Sequence, residues 1–251
     1  MSLSIKMNPK DYFFLNPDEV HVWSACLSEN ESNLPYFTTL LSQDEQEKAN
    51  HFRFSRDQKR YTISRGILRN LLAEYLREMP QRIDILYGLW GKPCLPKEKA
   101  LSFNLSHSED YVLYALTQRY EIGIDLEYRN ESFELEDMAR SVFSATKFSH
   151  WKNLSLEEKT HVFFKCWVSK EAFLKASGKG WLESEYAHAF PETNDRKLEN
   201  GKILYPYSFE AIPGYASALF VEGPSLRFLH FIWGPGNLSK STPHGVNPVA
   251  S

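Results

Sequence analysis

The chain has 251 residues, of which 42% are apolar and 14% aromatic, and it carries a net charge of −3. This length allows one large domain or two small ones with a sizeable core. The slightly acidic balance argues against a nucleic-acid surface as the main feature, because such surfaces need a basic excess.

Apolar runs and cysteine spacing indicate in which compartment a protein resides. The sequence has no apolar run of about 18 residues, so we expect no membrane span. The first residues lack the apolar core of a signal peptide. Cys26, Cys94 and Cys166 are scattered without a CxxC spacing, which is typical of a reduced protein without structural zinc. We therefore expect a cytoplasmic protein.

The first elements are one strand and two helices. Val20 to Leu27 has strand character, with alternating faces. Ser42 is predicted to cap a polar helix over 43–53, and a longer helix is predicted over 56–77. The apolar stripe of the longer helix consists of Tyr61, Leu68, Leu71, Leu72, Tyr75 and Leu76, which recur at helical spacing.

Three short strands are predicted next, after a turn at 91–93. Residues 101–105 alternate, and 111–116 form a second short strand, separated by a tight polar connection. The third strand carries Asp125 and Glu127. Because short connections join all three, we predict that they form an antiparallel meander.

The second half mixes helices and strands. Ser144 is predicted to cap one helix, and a long helix is predicted over 156–177. Strand character follows over 208–221, and the polar tail 234–251 is predicted to be mostly disordered. Helices and strands do not alternate strictly, so the predicted fold class is α+β.

Asp125 and Glu127 share one face of their strand, because side chains alternate along a strand. Ile124 and Leu126 take the opposite, apolar face. Their backbone positions are two residues apart, at a rise of roughly 3.3 Å per residue, so both carboxylates can reach one ion. Oxygen ligands suit Mg²⁺. A solvated edge strand with two surface acids explains the same pattern, and these residues alone leave both interpretations open.

A third carboxylate lies on the long helix. At about 100° per residue, Glu171 falls between Trp167 and Phe164 in the apolar arc of the helix. A carboxylate in such an arc needs a partner or a metal. Lys175 lies one turn further on, so a simple Glu171–Lys175 pair is the alternative.

The same helical projection predicts which other residues of this helix face solvent and which lie in the apolar arc. Lys165, Ser169 and Ala172 are predicted to face solvent. Lys170 falls within the apolar arc, from which its long side chain is predicted to reach outward.

His107 lies at the end of a predicted strand, between Ser106 and Ser108. A lone histidine is most often structural. Backbone N–H groups in such turns also bind anions. The segment by itself is therefore only a weak indication of a phosphate site.

Four segments occur together in a characteristic order. They are Gly91-Lys92-Pro93, Phe103-Asn104-Leu105-Ser106-His107-Ser108, Gly123-Ile124-Asp125-Leu126-Glu127, and Trp167-Val168-Ser169-Lys170-Glu171-Ala172-Phe173-Leu174-Lys175. This ordered set resembles the Sfp-type 4′-phosphopantetheinyl transferases over roughly residues 20–222. That family transfers the phosphopantetheine arm of coenzyme A to a serine of an apo acyl or peptidyl carrier protein and releases 3′,5′-ADP.

The resemblance implies a fold. Members of this family are pseudo-dimers of two similar α+β halves with antiparallel sheets, and coenzyme A binds in the cleft between them. The implied halves are 1–121 and 122–251. Two halves in one chain also lead us to expect a monomer.

The resemblance also implies roles for individual residues. The matching Mg²⁺ ligands are Asp125, Glu127 and Glu171. Glu171 would also accept the serine proton, and Lys175 would assist the leaving phosphate. The coenzyme A contacts implied are Lys48, Arg65, Lys92, Ser106, His107 and Lys170.

Two other functions fit the same acidic residues. One is a Mg²⁺-dependent nucleotide pyrophosphate hydrolase, which needs no protein acceptor. The other is a carrier-protein binder without catalytic activity. In the transferase interpretation, the acidic carrier is predicted to dock on the segment with Arg129, Phe133, Met138 and Arg140.

Overall fold

The computed structural model describes residues 12–130, 135–178, 196–197, 201, 203–223, 226–234, 237–241 and 244–248. The helices are α1 (Leu34–Leu40), α2 (Gln43–Asn50), α3 (Ser55–Leu76), α4 (Glu136–Val142), α5 (Ala145–Lys152) and α6 (Leu156–Ser177). The strands are β1 (Glu19–Cys26), β2 (Leu86–Tyr87), β3 (Pro93–Cys94), β4 (Ser102–Ser108), β5 (Tyr111–Thr117), β6 (Ile122–Tyr128), β7 (Arg196–Lys197), β8 (Ile203–Glu210), β9 (Tyr215–Glu222), β10 (Arg227–Gly234), β11 (Asn237–Ser241) and β12 (His244–Pro248).

Two sheets form the centre of the protein. The first has the order β11-β10-β1-β5-β4, and the second has the order β12-β8-β9-β6, with β7 beside β8. One apolar core lies between the sheets and includes Val22, Leu113, Ile124 and Leu219. The other faces of the two sheets pack against helices. The predicted α+β class with two halves is therefore confirmed.

The predicted starts of α2, α3, α5 and α6 agree with the structure to within one residue, although α2 ends at Asn50 and α1 and α4 were not predicted. Ser42 and Glu45 form a reciprocal capping box at the start of α2. The stripe of α3 is buried at Leu68, Leu71 and Leu72. The side chain of Ser144 accepts a hydrogen bond from the backbone N–H of Lys147, so α5 begins as predicted.

The predicted three-strand meander is wrong at its third strand. β4 pairs with β5 as expected, but β6 pairs with β9 in the second sheet. The physical reason is that β5 has no free edge, because its other side pairs with β1. The chain therefore leaves the first sheet after β5.

The tail was expected to be mostly disordered, and the structure corrects this for two described segments of it. β11 pairs with β10, and β12 pairs with β8. A polar composition removes apolar burial as a driving force, but the backbone groups at a sheet edge still accept a partner strand. The prediction considered only the side chains.

The segment β10 returns to the first sheet, where it pairs in parallel with β1. The side chain of Arg227 also contacts the carboxylate of Glu19 on β1. The division at 121/122 stays a proposal, and the first sheet also contains the late strands β10 and β11. In the part of the chain that the structure describes, no helix is both long and apolar enough to cross a membrane.

Helix α6 touches β6 at Gly123. A Cβ atom at this position would lie 2.1 Å from the carbonyl oxygen of Ala172 and 2.3 Å from the backbone nitrogen of Ala176. Ala172 is consequently buried, with 0% of its surface exposed, so the prediction that it faces solvent is wrong. The helix therefore packs the side that carries Ala172 and Ala176 against the sheet, in addition to burying its large apolar residues.

We expect Gly123→Ala to separate α6 from β6. The added methyl group meets backbone atoms, which cannot rotate away, and overpacking of this kind costs about 1–3 kcal/mol or more. Urea denaturation measures the loss. Gly88→Ala is the matched control, because a Cβ there meets only the carbonyl oxygen of Lys92 at 3.6 Å. Equal stabilities of the two variants would contradict the close approach.

His230 lies buried on β10, with 1% of its surface exposed. Its Nε2 atom is 3.1 Å from the Ser24 hydroxyl, and its Nδ1 atom has no hydrogen-bond partner among the described residues. Burial lowers the pKa of this histidine from 6.5 to about 4. The folded protein therefore holds the ring neutral under conditions in which the unfolded chain protonates it.

The stability of the protein should fall as the pH drops from 6.5 to 4, because only the unfolded state takes up this proton. The shift corresponds to about 3 kcal/mol across that window. Urea denaturation between pH 7 and 4 measures it, and His230→Gln should flatten the pH dependence. The exposed His161, changed to Gln, is the control. An unchanged slope in His230→Gln would refute the assignment.

Candidate active site

A cleft of about 700 Å³ lies between the two halves of the protein. Its walls come from α2 and α3 on one side and from β6 and α6 on the other, with β4 between them. Eight of the predicted site residues line it: Lys48, Arg65, Ser106, His107, Asp125, Glu127, Glu171 and Lys175.

The cleft sits where β4 and β6, the edge strands of the two sheets, meet. No backbone ladder joins these two strands within the described sheets. Polar side chains of β4 make the connection instead. Asn104 Oδ1 accepts a hydrogen bond from the backbone N–H of Ile124 at 2.8 Å. Ser106 Oγ donates to Asp125 Oδ1 at 2.8 Å. We call this line of contacts the β4–β6 seam.

Lys175 reaches from α6 onto the same carboxylate. Its Nζ atom lies 2.7 Å from Asp125 Oδ1, 3.1 Å from Ser106 Oγ and 3.3 Å from the carbonyl oxygen of Ile124. The lysine therefore pairs with Asp125 on the strand. This contact joins α6 to both strands of the seam.

Asp125 is a buried carboxylate with 3% of its surface exposed. Burial raises its pKa, while Lys175 and the Ser106 hydroxyl oppose that rise. Its second oxygen, Oδ2, has no hydrogen-bond partner among the described residues. An unpaired buried carboxylate oxygen is costly, so this atom suits a cation or a donor brought by a ligand.

Glu127 lies half-buried beside it on the same strand. Burial and the neighbouring Asp125 raise its pKa, and hydrogen bonds from Ser108 and Trp167 oppose the rise. Two adjacent carboxylates with raised pKa values repel each other, so a bound cation would stabilise both charged forms.

Glu171 lines the cleft one turn before Lys175 but is only half-buried. The expectation of a carboxylate sunk in the apolar side of the helix was therefore too strong, because this face of α6 borders the cleft. In the described ranges, no three His, Cys, Asp or Glu side chains are close enough to form a ready metal cluster.

The first half supplies the basic wall of the cleft. Arg65 is 6% exposed and donates from Nη2 to the Tyr87 hydroxyl at 2.9 Å. Its Nη1 atom has no partner within the described part of the chain. The Lys48 ammonium lies 5.6 Å from the centre of the Tyr61 ring. These cations favour an anionic ligand.

His107 lies on the cleft wall with its side chain exposed at one side. The surrounding wall still removes part of its hydration, and this lowers its pKa, as do the nearby Lys175 and Arg60. The ring is therefore a hydrogen-bonding group whose protonation an anionic ligand would favour.

Two predicted coenzyme A contacts do not line the cleft. Lys92 donates from Nζ to the carbonyl oxygen of Ile122 at 3.0 Å, which ties the β2–β3 hairpin to the second half. Lys170 is buried, with 0% of its surface exposed, and donates to the carbonyl oxygen of Ser141 at 3.3 Å. It lies at the C-terminal end of α4, where a cation is favourable, and does not reach outward.

Other polar or aromatic residues line the cleft without having been predicted as site residues, among them Arg60, Ser108 and Trp167. Ser108 could have been found from the sequence. Asn104, Ser106 and Ser108 occupy every second position of one strand, so their side chains share a face. Arg60 had no such signal beyond its basic charge, since helix register alone did not show which turn of α3 borders the cleft.

Both parts of the chain are similar to known protein families. Residues 23–119 match the family described as "4′-phosphopantetheinyl transferase, N-terminal", and residues 121–209 match the "4′-phosphopantetheinyl transferase superfamily". The 4′-phosphopantetheinyl transferase HetI of Nostoc sp. is 39% identical over 186 residues, which cover 72% of this chain and 78% of the relative. The chain belongs to the 4′-phosphopantetheinyl transferase superfamily.

Two further relatives of this transferase carry the same activity in their names. The 4′-phosphopantetheinyl transferase Sfp of Bacillus subtilis is 28% identical over 203 residues, which cover 79% of this chain and 88% of the relative. AcpT of Escherichia coli K12 is 31% identical over 137 residues, which cover 53% and 68%. The predicted family and enzyme class are confirmed.

The contact between Lys175 and Asp125 yields a stability prediction. Lys175→Met removes the partner of a buried charge, and we expect a loss of about 2 kcal/mol, moderated because the lysine is partly exposed. Asp125→Asn in the same chain should restore most of it, because no buried charge remains. Urea denaturation at pH 8 measures both. A double variant as unstable as the sum of the two single variants would contradict the pairing.

Proposed function

We propose that this transferase moves the 4′-phosphopantetheine group of coenzyme A to a serine hydroxyl of an apo acyl or peptidyl carrier protein. The serine oxygen would form a bond to the β-phosphorus of the pyrophosphate. The bond from that phosphorus to the bridging oxygen would break, and 3′,5′-ADP would leave. The serine proton would pass to a base.

The observation that carries this proposal is the arrangement around Asp125. A buried carboxylate with an unpaired oxygen faces the same cleft as Lys48, Arg65 and His107. Carboxylates on β6 and α6 and basic side chains on α2, α3 and β4 border one cleft, which suits a ligand that carries phosphates and binds a divalent cation. Coenzyme A has a 3′-phosphate for the basic side chains and a pyrophosphate that binds a divalent cation, so it meets both requirements.

The cation proposed is Mg²⁺, held by Asp125, Glu127 and Glu171 together with substrate oxygens. Oxygen-only ligands and the unpaired Oδ2 of Asp125 fit this hard cation. When bound, it would neutralise the charge that develops on the pyrophosphate oxygens. Lys175 now occupies the other oxygen, Oδ1, so its ammonium already balances part of the local charge.

The remaining roles are assigned to side chains of this chain. Glu171 is proposed as the base for the serine proton, directly or through water, because it lines the cleft and is partly accessible. Lys175 is proposed to stabilise the leaving phosphate. Ser106, His107, Arg65 and Lys48 are proposed to bind coenzyme A, with His107 at its 3′-phosphate.

Lys92 and Lys170 keep indirect roles in this proposal. Lys92 holds the β2–β3 hairpin against the start of β6, and Pro93 of that hairpin lines the cleft. Lys170 lies at the end of α4. Neither is proposed to contact coenzyme A in the arrangement described.

The carrier protein is proposed to approach beside α4. A smaller pocket of about 260 Å³ opens next to Glu127, and Met138, Phe164 and Trp167 line it. Arg140, nearby on α4, adds a positive charge suited to an acidic carrier. Phe133, also predicted to dock the carrier, lies outside the described residues. We further propose a cytoplasmic monomer, since one chain supplies both walls of the cleft.

The test is a mass measurement. The transferase is incubated with Mg²⁺, coenzyme A and an apo acyl carrier protein, and the carrier is weighed. A gain of one phosphopantetheine group supports the proposal. Cleavage of coenzyme A without a gain would identify a pyrophosphate hydrolase instead, and carrier binding without turnover would identify a non-catalytic binder.

Glu171→Gln provides the matched variant for this assay. We expect turnover to fall by about 10²-fold or more, because loss of a positioned base removes a contribution of that size. The amide has nearly the same shape, so the fold should be retained, and urea denaturation checks this. Turnover at the wild-type rate would remove Glu171 from the chemistry.

A further inference from the structure

Ser108, the last residue of β4, makes two contacts across the β4–β6 seam. Its Oγ atom donates to Glu127 Oε2 at 2.9 Å. The same oxygen accepts a hydrogen bond from the backbone N–H of Tyr128 at 3.0 Å. One hydroxyl therefore holds both the carboxylate of Glu127 and the peptide that follows it.

This double contact constrains the direction of the Glu127 side chain. A glutamate side chain has three rotatable bonds, and a half-buried one on an edge strand has several accessible orientations. Because the Tyr128 N–H fixes the hydroxyl oxygen, the hydroxyl hydrogen is directed toward Glu127. The hydroxyl contact therefore favours one position of the carboxylate relative to Asp125.

The neighbouring serine has a different set of partners. Ser106 contacts Asp125 and also Lys175, so its effects cannot be separated from those of the lysine. Among the described contacts, Ser108 bonds Glu127 and the Tyr128 backbone but not Lys175. A change at Ser108 therefore acts on one carboxylate of the site.

We propose that Ser108 is a positioning residue that orients Glu127 toward the cation shared with Asp125. This inference rests on the proposed function, because the cation belongs to it. Ser108 touches neither substrate nor metal in this role. It is hydrogen-bonded to Glu127, a proposed metal ligand. Hydrogen-bonding partners of metal ligands commonly influence metal affinity.

The direct test is a titration with Mn²⁺ alone, followed by the electron paramagnetic resonance signal of the free ion. Ser108→Ala should weaken Mn²⁺ binding by about 10-fold, the usual lower effect of losing such a partner. Ser108→Thr keeps the hydroxyl on a strand that tolerates β-branched residues, and it should restore binding to within about twofold of wild type.

A purely structural role for Ser108 predicts a different pattern, and a double variant separates the two. In Glu127→Gln the carboxylate is already lost, so adding Ser108→Ala should change Mn²⁺ affinity less than about twofold. The same loss in both backgrounds would overturn the inference, because Ser108 would then act independently of Glu127.

Ser28→Ala is the matched control. Ser28 Oγ also donates to a carboxylate, Asp110 Oδ2, at 2.5 Å, but Asp110 is not among the described residues that line the cleft. This variant should bind Mn²⁺ as the wild type does. A loss equal to that of Ser108→Ala would show that any serine–carboxylate bond in this half has the same effect.

Kinetics supply a second readout. Ser108→Ala should raise the Mg²⁺ concentration needed for half-maximal transfer, because the cation then binds more weakly. If the wild type transfers and binds Mn²⁺ while Ser108→Ala matches it in both assays, this inference alone fails. If the wild type neither transfers the group nor binds Mn²⁺, the proposed function fails, and the inference that rests on it fails as well.

Discussion

The structure depends on how two sheet edges are joined without a backbone ladder. Asn104 and Ser106 of β4 bond the backbone and side chain of β6, and Lys175 closes the contact from α6. Edge strands normally continue a sheet or are protected by charge. Here Ser106 and Asp125, polar groups of these two edge strands, also line the cleft. The acids of the site are consequently held by both halves, and displacing either half would disturb their geometry.

Burial explains why these acids are suited to phosphate chemistry. Desolvation raises the pKa of Asp125 and of Glu127, and donors from β4 and α6 oppose that rise. In a partly dry cleft the same charges interact more strongly with a cation than they would at a surface. The basic side chains Arg65 and Lys48 stand on the opposite side. The cleft therefore places basic groups opposite the carboxylates, while Lys175 lies directly beside Asp125.

Much of this arrangement could be predicted from local patterns. Alternation along β6 correctly separated Asp125 from the apolar Ile124, and serine caps correctly marked the starts of α2 and α5. Contacts between distant elements could not be read in this way. The partner of β6 depended on which strand edges were free, and the burial of Lys170 depended on α4. Family order located eight of the residues that line the cleft, because it records such distant contacts indirectly.

The parallel pairing of β10 with β1 has a consequence for how the chain folds. Ser24 and His230 contact each other although they are 206 residues apart in the sequence. Closing such a long loop is slow relative to forming local helices and hairpins. During synthesis, the edge of β1 stays uncovered until β10 has emerged, 206 residues later at the Ser24–His230 contact. The first half is therefore not an autonomous module, and an interrupted chain would present β1 to other proteins as an open template.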